Sequence, residues 1–261
     1  MTAGGTGAPG SGSHSERSHG KGPREPGTPG YVPDRALAVY AHPDDPFVSC
    51  GGTLARWAGS GCAVSILICT KGEKGSADPA EDTAALARLR QDEARAAARS
   101  IGCNEPLFLD YPDGELVDDL ELVGSIVRAV RELKPEALVC PDPTAFFFGD
   151  GYVNHRDHRI VGTACLDAIS PAAALPLYFP GAVAAHQVRC AFISGTLAPT
   201  LWIDITGTID AKVASILHHE SQLRGEQHDS TAAIIRARAG EDGRVAGLDY
   251  AESFRFMHLA T

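Results

Sequence analysis

Six apolar residues, Ala36-Leu37-Ala38-Val39-Tyr40-Ala41, form a run of strand length that stops at the polar turn His42-Pro43-Asp44-Asp45. Gly51-Gly52-Thr53 then reads as the approach to a short helix around Thr53 to Ala58. Cys62 to Thr70 is a second apolar run, with Val64, Ile66 and Ile68, and suits a strand buried on both faces. Between Asp82 and Ile101, Leu86, Leu89, Ala94, Ala97 and Ile101 fall close to helical spacing, and Gly102 supplies a stop. A strand at Leu107 to Asp110 follows, then a helix over Leu116 to Leu133 ended by Pro135. Ala137 to Cys140 is a short strand broken by Pro141-Asp142-Pro143; Arg189 to Ser194 and Leu201 to Ile205 are further strands, and Ile209 to His219 a helix. Strand and helix alternate without an internal repeat. That order predicts an α/β, Rossmann-like fold: a mainly parallel sheet, helices on both faces, ligands at the carboxyl ends of the strands.

Residues 1 to 34, rich in Gly, Ser and Pro, cannot bury enough apolar area to offset chain entropy, and are expected to be a disordered leader. Residues 35 to 261 are then a single catalytic domain, a comfortable size for one buried core. Met1 to Gly30 has no apolar h-region of a secretory signal, and no stretch approaches the roughly eighteen apolar residues of a membrane span. The formal net charge of -10 argues against a nucleic-acid surface, which needs a concentrated basic face. Seven cysteines, an odd number without C-x-x-C spacing, fit a reducing cytoplasm. Most lie in apolar runs as small hydrophobes, and Cys50, although close to the polar turn, is assigned to packing as well.

The polar turn looks like metal chemistry. A histidine and two adjacent carboxylates sit where an open α/β sheet gathers its ligands, and His155-Arg156-Asp157-His158 places two histidines three apart, able to face one cavity from a shared helical turn. A catalytic zinc site takes three such nitrogen and oxygen ligands and keeps a position for water, whose pKa falls to roughly 7. Residue type alone does not tell the two aspartates apart.

Ala41-His42-Pro43-Asp44-Asp45 with Gly51-Gly52-Thr53-Leu54, followed by Asn154-His155-Arg156-Asp157-His158, resembles the PIG-L/LmbE-like family of zinc-dependent N-deacetylases over most of residues 35 to 258. Arg90-Gln91-Asp92-Glu93, Asp110 to Gly114, and Lys212 to His219-Glu220-Ser221-Gln222 support the match. The resemblance implies one Zn²⁺ per chain, with Fe²⁺ as the other candidate, held by His42, Asp45 and His158. It makes Asp44 the general base and His155 the group that steadies the oxyanion or protonates the leaving amine, and it suggests Arg90 and Asp113 as substrate-binding residues. The implied substrate is an N-acetylated amino sugar on a larger molecule: a glycolipid, a thiol-cofactor precursor or a glycosylated antibiotic. One position departs from the pattern. The family usually has Glu after the paired aspartates, and Pro46 cannot make that residue's hydrogen bond.

Phe146-Phe147-Phe148 precedes Gly149-Asp150-Gly151, which argues against a regular element, so at least one ring is expected to face outward. Phe147 is the candidate apolar platform for the part of a substrate beyond the sugar. Two other readings stand beside the enzyme: a nucleotide-binding regulatory domain, if Gly51-Gly52 cradles a phosphate at a helix N-terminus, and a catalytically inactive sugar-binding module, suggested by Pro46.

Overall fold

The computed structural model describes residues 1–2, 4, 25–28, 30–223 and 228–259. In chain order the elements are β1 (Arg35–Tyr40), α1 (Asp45–Gly59), β2 (Ala63–Thr70), α2 (Thr83–Ser100), β3 (Leu107–Tyr111), α3 (Leu120–Leu133) and β4 (Ala137–Pro141). A small hairpin follows, β5 (Phe147–Phe148) and β6 (Tyr152–Val153), then α4 (Arg156–Asp167), β7 (Cys190–Ser194) and β8 (Leu201–Asp204). The chain closes with α5 (Ile209–Leu217), α6 (Glu220–Leu223), α7 (His228–Ala246) and β9 (Ala251–His258).

Seven strands form one sheet in the order β3-β2-β1-β4-β7-β9-β8. The first five are parallel, and β9 runs antiparallel to both β7 and β8. Alternate residues of each strand feed opposite cores. Ala36, Ala38 and Tyr40 of β1 pack with Phe47, Leu54 and Trp57 of α1, Ala94 and Ala97 of α2, Val213 of α5 and Ile235 of α7. Leu37 and Val39 face the other way, against Leu122, Ile126 and Val130 of α3 and Val161 and Cys165 of α4. This is the expected α/β arrangement with helices on both faces, and its strand order reverses between β1 and β4, where open sheets bind ligands.

Several boundaries differ from the sequence reading. Tyr31 and Pro33 are buried; Tyr31 stacks on Phe192 at 6.2 Å and its carbonyl accepts the Trp57 indole N–H at 3.2 Å. The folded body therefore begins ahead of the expected end of the leader at residue 34, and residues 3, 5–24 and 29 of that leader lie outside the described ones. α1 starts at Asp45 rather than Thr53, because Pro46 falls in its first turn, where no N–H is required. α3 starts at Leu120, where Asp119 accepts the amides of Glu121 and Leu122, so Leu116 to Asp118 precede the helix. α7 and β9 were not anticipated: α7 buries only Ile235, Ala239 and Gly243, too sparse an apolar stripe to read, and β9 carries the buried charge Glu252 inside its run. The segment after Pro143 does contain a regular element, the β5–β6 pair, with Phe147 opposite Val153.

Candidate metal centre

β1 delivers His42 to the carboxyl edge of the sheet, and the chain turns at once into α1. The His42 amide donates to Asp45 Oδ2 at 2.8 Å, which folds Asp45 back over the turn. Asp44 occupies the N-cap position, yet its side chain caps no amide. From the other side, α4 begins at Arg156, with His155 at its N-cap. Gly162 lets that helix press on the end of β4: a Cβ there would lie 2.5 Å from the Pro141 carbonyl oxygen.

Three donors meet between these elements. His42 Nδ1 lies 3.3 Å from Asp45 Oδ2 and 3.1 Å from His158 Nε2, and His158 Nε2 lies 3.1 Å from Asp45 Oδ1. Donors bound to one cation at about 2.0 to 2.2 Å and tetrahedral angles stand roughly 3.3 to 3.6 Å apart, close to these spacings. Both rings are also fixed from behind. His42 Nε2 faces Asp113 Oδ1 at 3.1 Å and Asp157 Oδ2 at 3.6 Å, while His158 Nδ1 lies 2.9 Å from Asn154 Oδ1. Asn154 is itself oriented, its amide donating to the Ala145 carbonyl at 2.7 Å. With the ring protons on those outer nitrogens, the lone pairs of His42 Nδ1 and His158 Nε2 point at each other and at a carboxylate, a set that a divalent cation satisfies. These residues fit a metal.

The charges agree with that geometry. Burial alone raises the Asp45 carboxyl, but His158 and His42 outweigh it and hold it well below the usual range. Burial would lower His42, but Asp45, Asp113 and Asp157 together raise it. Asp113 and Asp157 are lowered, because His42 outweighs their burial. Asp44 moves the other way, raised first by burial and then by the neighbouring Asp45.

The expected site residues come together unequally. His155 does not share a helical turn with His158: it is the N-cap of α4, and its Nδ1 accepts the Asp157 amide at 3.2 Å. Its ring still reaches the cluster, with centroids 4.8 Å from His42 and 5.5 Å from His158. Burial and then the charge on His42 lower its pKa.

Asp113, expected to bind substrate, is instead buried behind His42, where it accepts the Lys74 amide at 3.2 Å and presents its own amide to Glu73 at 2.8 Å. Arg90, the other expected substrate contact, is also buried, its guanidinium donating to the Gly72 carbonyl and, at 2.8 Å, to the Gly75 carbonyl. With the Gln222 amide assigned so that its oxygen faces Arg90, the Nε hydrogen bond is 2.7 Å. Glu93, one turn along α2, takes the Ser221 amide at 2.8 Å and the Ser221 hydroxyl at 2.7 Å. The two supporting motifs of the sequence thus hold each other. His219 beside them is buried against Phe47, ring centroids 5.2 Å apart, and burial pushes it down to about 4.

Phe147 is 64 % exposed and Phe146 beside it 48 %, so the outward-facing ring is present. The hairpin is tied to the centre: the Asn154 amide donates to the Phe146 carbonyl at 2.8 Å, and Tyr152, raised first by burial, also feels the charge of Asp45. Sequence reasoning missed Asn154 and Asp157 as site residues. Asp157 is fully buried and accepts the Gly114 amide at 2.7 Å. It stood inside the Asn154 to His158 motif without a role, since neighbours on a helix ordinarily point apart.

Gly52 and Thr53 do not cradle a phosphate, because Glu252 already takes both amides, at 2.9 and 2.7 Å. That removes the basis for the nucleotide-binding reading. Residues 37–169 match the family model described as GlcNAc-PI de-N-acetylase, PIG-L. The chain belongs to the PIG-L family. It is 29 % identical over 227 residues to the diacetylchitobiose deacetylase of Thermococcus kodakarensis, covering 85 % of this chain and 83 % of that one. Over 241 residues it is 30 % identical to the 1D-myo-inositol 2-acetamido-2-deoxy-alpha-D-glucopyranoside deacetylase of Mycobacteroides abscessus, with 77 % and 85 % covered. Among solved structures, the N,N'-diacetylchitobiose deacetylase of Pyrococcus horikoshii superposes with a TM-score of 0.79 at 26 % identity, over 87 % of this chain and 84 % of that one. The PIG-L chains it resembles are thus deacetylases, hydrolases of N-acetyl amide bonds.

Proposed function

We propose that this protein is a zinc-dependent hydrolase that removes the N-acetyl group from an amino sugar carried on a larger molecule, acting as a single catalytic domain in the cytoplasm. The observation that carries the reading is the approach of His42 Nδ1, Asp45 and His158 Nε2 to within 3.3 Å of one another, with the outer nitrogen of each ring held from behind. The relatives' deacetylase names support the reaction, and the odd number of cysteines, all buried, supports the compartment. No helix among the described residues is long and apolar enough to cross a membrane.

When bound, the cation supplies Lewis acidity and brings the ionisation of water toward neutral pH. Asp44 is the base: its carboxyl is raised by burial and by Asp45, and its side chain caps no helix amide, so it is available to take the proton of the attacking water. His155 is the donor. Because Nδ1 accepts the Asp157 amide, the neutral ring carries its proton on Nε2 and steadies the oxyanion from there, while the proton that Asp44 takes from the water passes to the leaving nitrogen. Water adds to the acetyl carbon, the C–N bond breaks, and acetate and the free amine leave. Arg90 and Asp113 act one layer out, Arg90 on the Gly72 to Gly75 loop and Asp113 on His42.

The test is a screen of N-acetylated amino-sugar conjugates scored by mass spectrometry for loss of an acetyl group, with chelator-treated and zinc-restored protein side by side. Acetyl loss that chelation stops and zinc restores is expected. Zinc-loaded protein that releases no acetate from any conjugate would leave the inactive sugar-binding module as the better account.

Phe147 and Phe146 on the hairpin form the platform for the portion of substrate beyond the sugar. Burying one such ring is worth about 1.5 to 3 kcal/mol. Phe147→Ala should therefore raise KM for a conjugate with an apolar aglycone at least about tenfold while leaving the free N-acetylated sugar nearly unchanged. Equal losses on both substrates would place the ring's role elsewhere.

A further inference from the structure

α1 is broken one turn after its start. Cys50 has φ -143° and ψ 20°, so Asp45 to Ser49 form a short segment ahead of the break, and the main body of the helix resumes beyond it. A broken helix exposes carbonyls on one side and amides on the other. Both sets are met by one buried ion pair from distant parts of the chain. Lys212 of α5 donates to the Val48 carbonyl at 2.8 Å, ahead of the break. Glu252 of β9 accepts the Gly52 amide on Oε1 and the Thr53 amide on Oε2, behind it. The two side chains meet at 2.5 Å, each 4 % exposed. Gly52 lets Ile205 pack against the helix here, since a Cβ there would lie 2.8 Å from Ile205 Cδ1.

The pair therefore spans the discontinuity, and the short segment it anchors is the one that begins with Asp45, with Asp44 just ahead of it. His42 is tied to that segment through the Asp45 carboxylate. α4, with His158, packs on the other face of the sheet. A cap alone needs one acceptor; an acceptor and a donor locked to each other across a break also set the offset between its two sides. We infer that Lys212 and Glu252 are positioning residues for the metal centre: they hold the segment carrying Asp44 and Asp45 at the distance from His158 that a bound cation requires. This rests on the metal reading of the site.

Full-length wild type, Glu252→Gln, Glu252→Asp and Arg131→Met are compared by zinc affinity in chelator competition, melting temperature without metal, and kcat and KM. Arg131 is the control, a buried cation that holds the Ala172 to Phe179 segment on the opposite face of the sheet through carbonyl hydrogen bonds. The Gln amide can accept one N–H but offers its own N–H₂ to the second amide and to the ammonium. Glu252→Gln is expected to weaken zinc about 10- to 100-fold, as loss of an outer-shell partner does, and to lower kcat with KM within about twofold. Arg131→Met should lower the melting temperature and leave zinc affinity unchanged. Should Glu252→Gln not fold, Glu252→Asp, which keeps the charge but shortens the reach, is expected to show at least about tenfold weaker zinc. Zinc affinity within about threefold of wild type in the folded Glu252 variant, whatever its melting temperature, overturns the positioning role. A wild type that takes up no zinc refutes the metal reading itself, which is a separate outcome.

Discussion

His158→Ala is expected to purify with far less than the roughly one zinc per chain that a three-ligand catalytic site holds, and to lose acetyl release with it. The effect should be large because the ring does two things. It supplies one of the three donors of the proposed site, and its Nε2, 3.1 Å from Asp45 Oδ1, is the group that draws that carboxylate toward α4. Removing it leaves two donors on one turn, and a fold that is otherwise intact, since the ring is part-buried and belongs to neither core. Elemental analysis after dialysis, with circular dichroism as the check on folding, decides it. A folded His158→Ala variant carrying its full complement of metal would sink the ligand assignment.

Asp44→Asn is expected to keep the metal and lose on the order of 10²- to 10⁴-fold in kcat, the range of acid–base assistance. Asp45→Asn should do the reverse in order of cause: it loses the metal first, and the rate follows. The structure makes the distinction sharp. Both Asp45 oxygens are engaged, Oδ2 with the His42 amide and ring and Oδ1 with His158, whereas the Asp44 carboxylate caps no amide. Asparagine at 45 keeps one acceptor but offers an N–H₂ to a ring nitrogen that must stay unprotonated to bind a cation. Metal content and rate measured on both variants separate the roles, and an empty site in Asp44→Asn beside a filled one in Asp45→Asn would exchange them.

Much of the layout was legible because it depends on local order. Apolar runs of strand length alternating with helical spacing specify a parallel sheet, and a parallel sheet gathers its loops at one edge, where His42 and His155 to His158 are expected to meet. The parts that failed to read share one physical cause. α7 packs through three residues on one face, and β9 holds a charge in mid-strand, so neither shows the periodicity that burial on a broad face imposes. Pro46, a departure from the family pattern in sequence, is in structure a residue at home in the first turn of a helix.

Residue type and spacing were enough to determine the fold class and to mark the polar turn and the histidine pair as candidate metal chemistry; the separate roles of Asp44, Asp45, His155 and His158 came only from the family resemblance. Type and spacing were not enough to rank the layers around those groups. Arg90 and Asp113 look like substrate contacts in the sequence, since both are charged and lie in motif-like runs, and only packing turns them inward, onto the Gly72 to Gly75 carbonyls and onto His42. Asp157, Lys212 and Glu252 gain their roles from partners 40 to 200 residues away, and a contact between distant segments leaves no periodicity in either one. The chemistry of the site was written locally, and its geometry was decided by long-range burial, because a buried polar group must find its partner wherever the fold brings one.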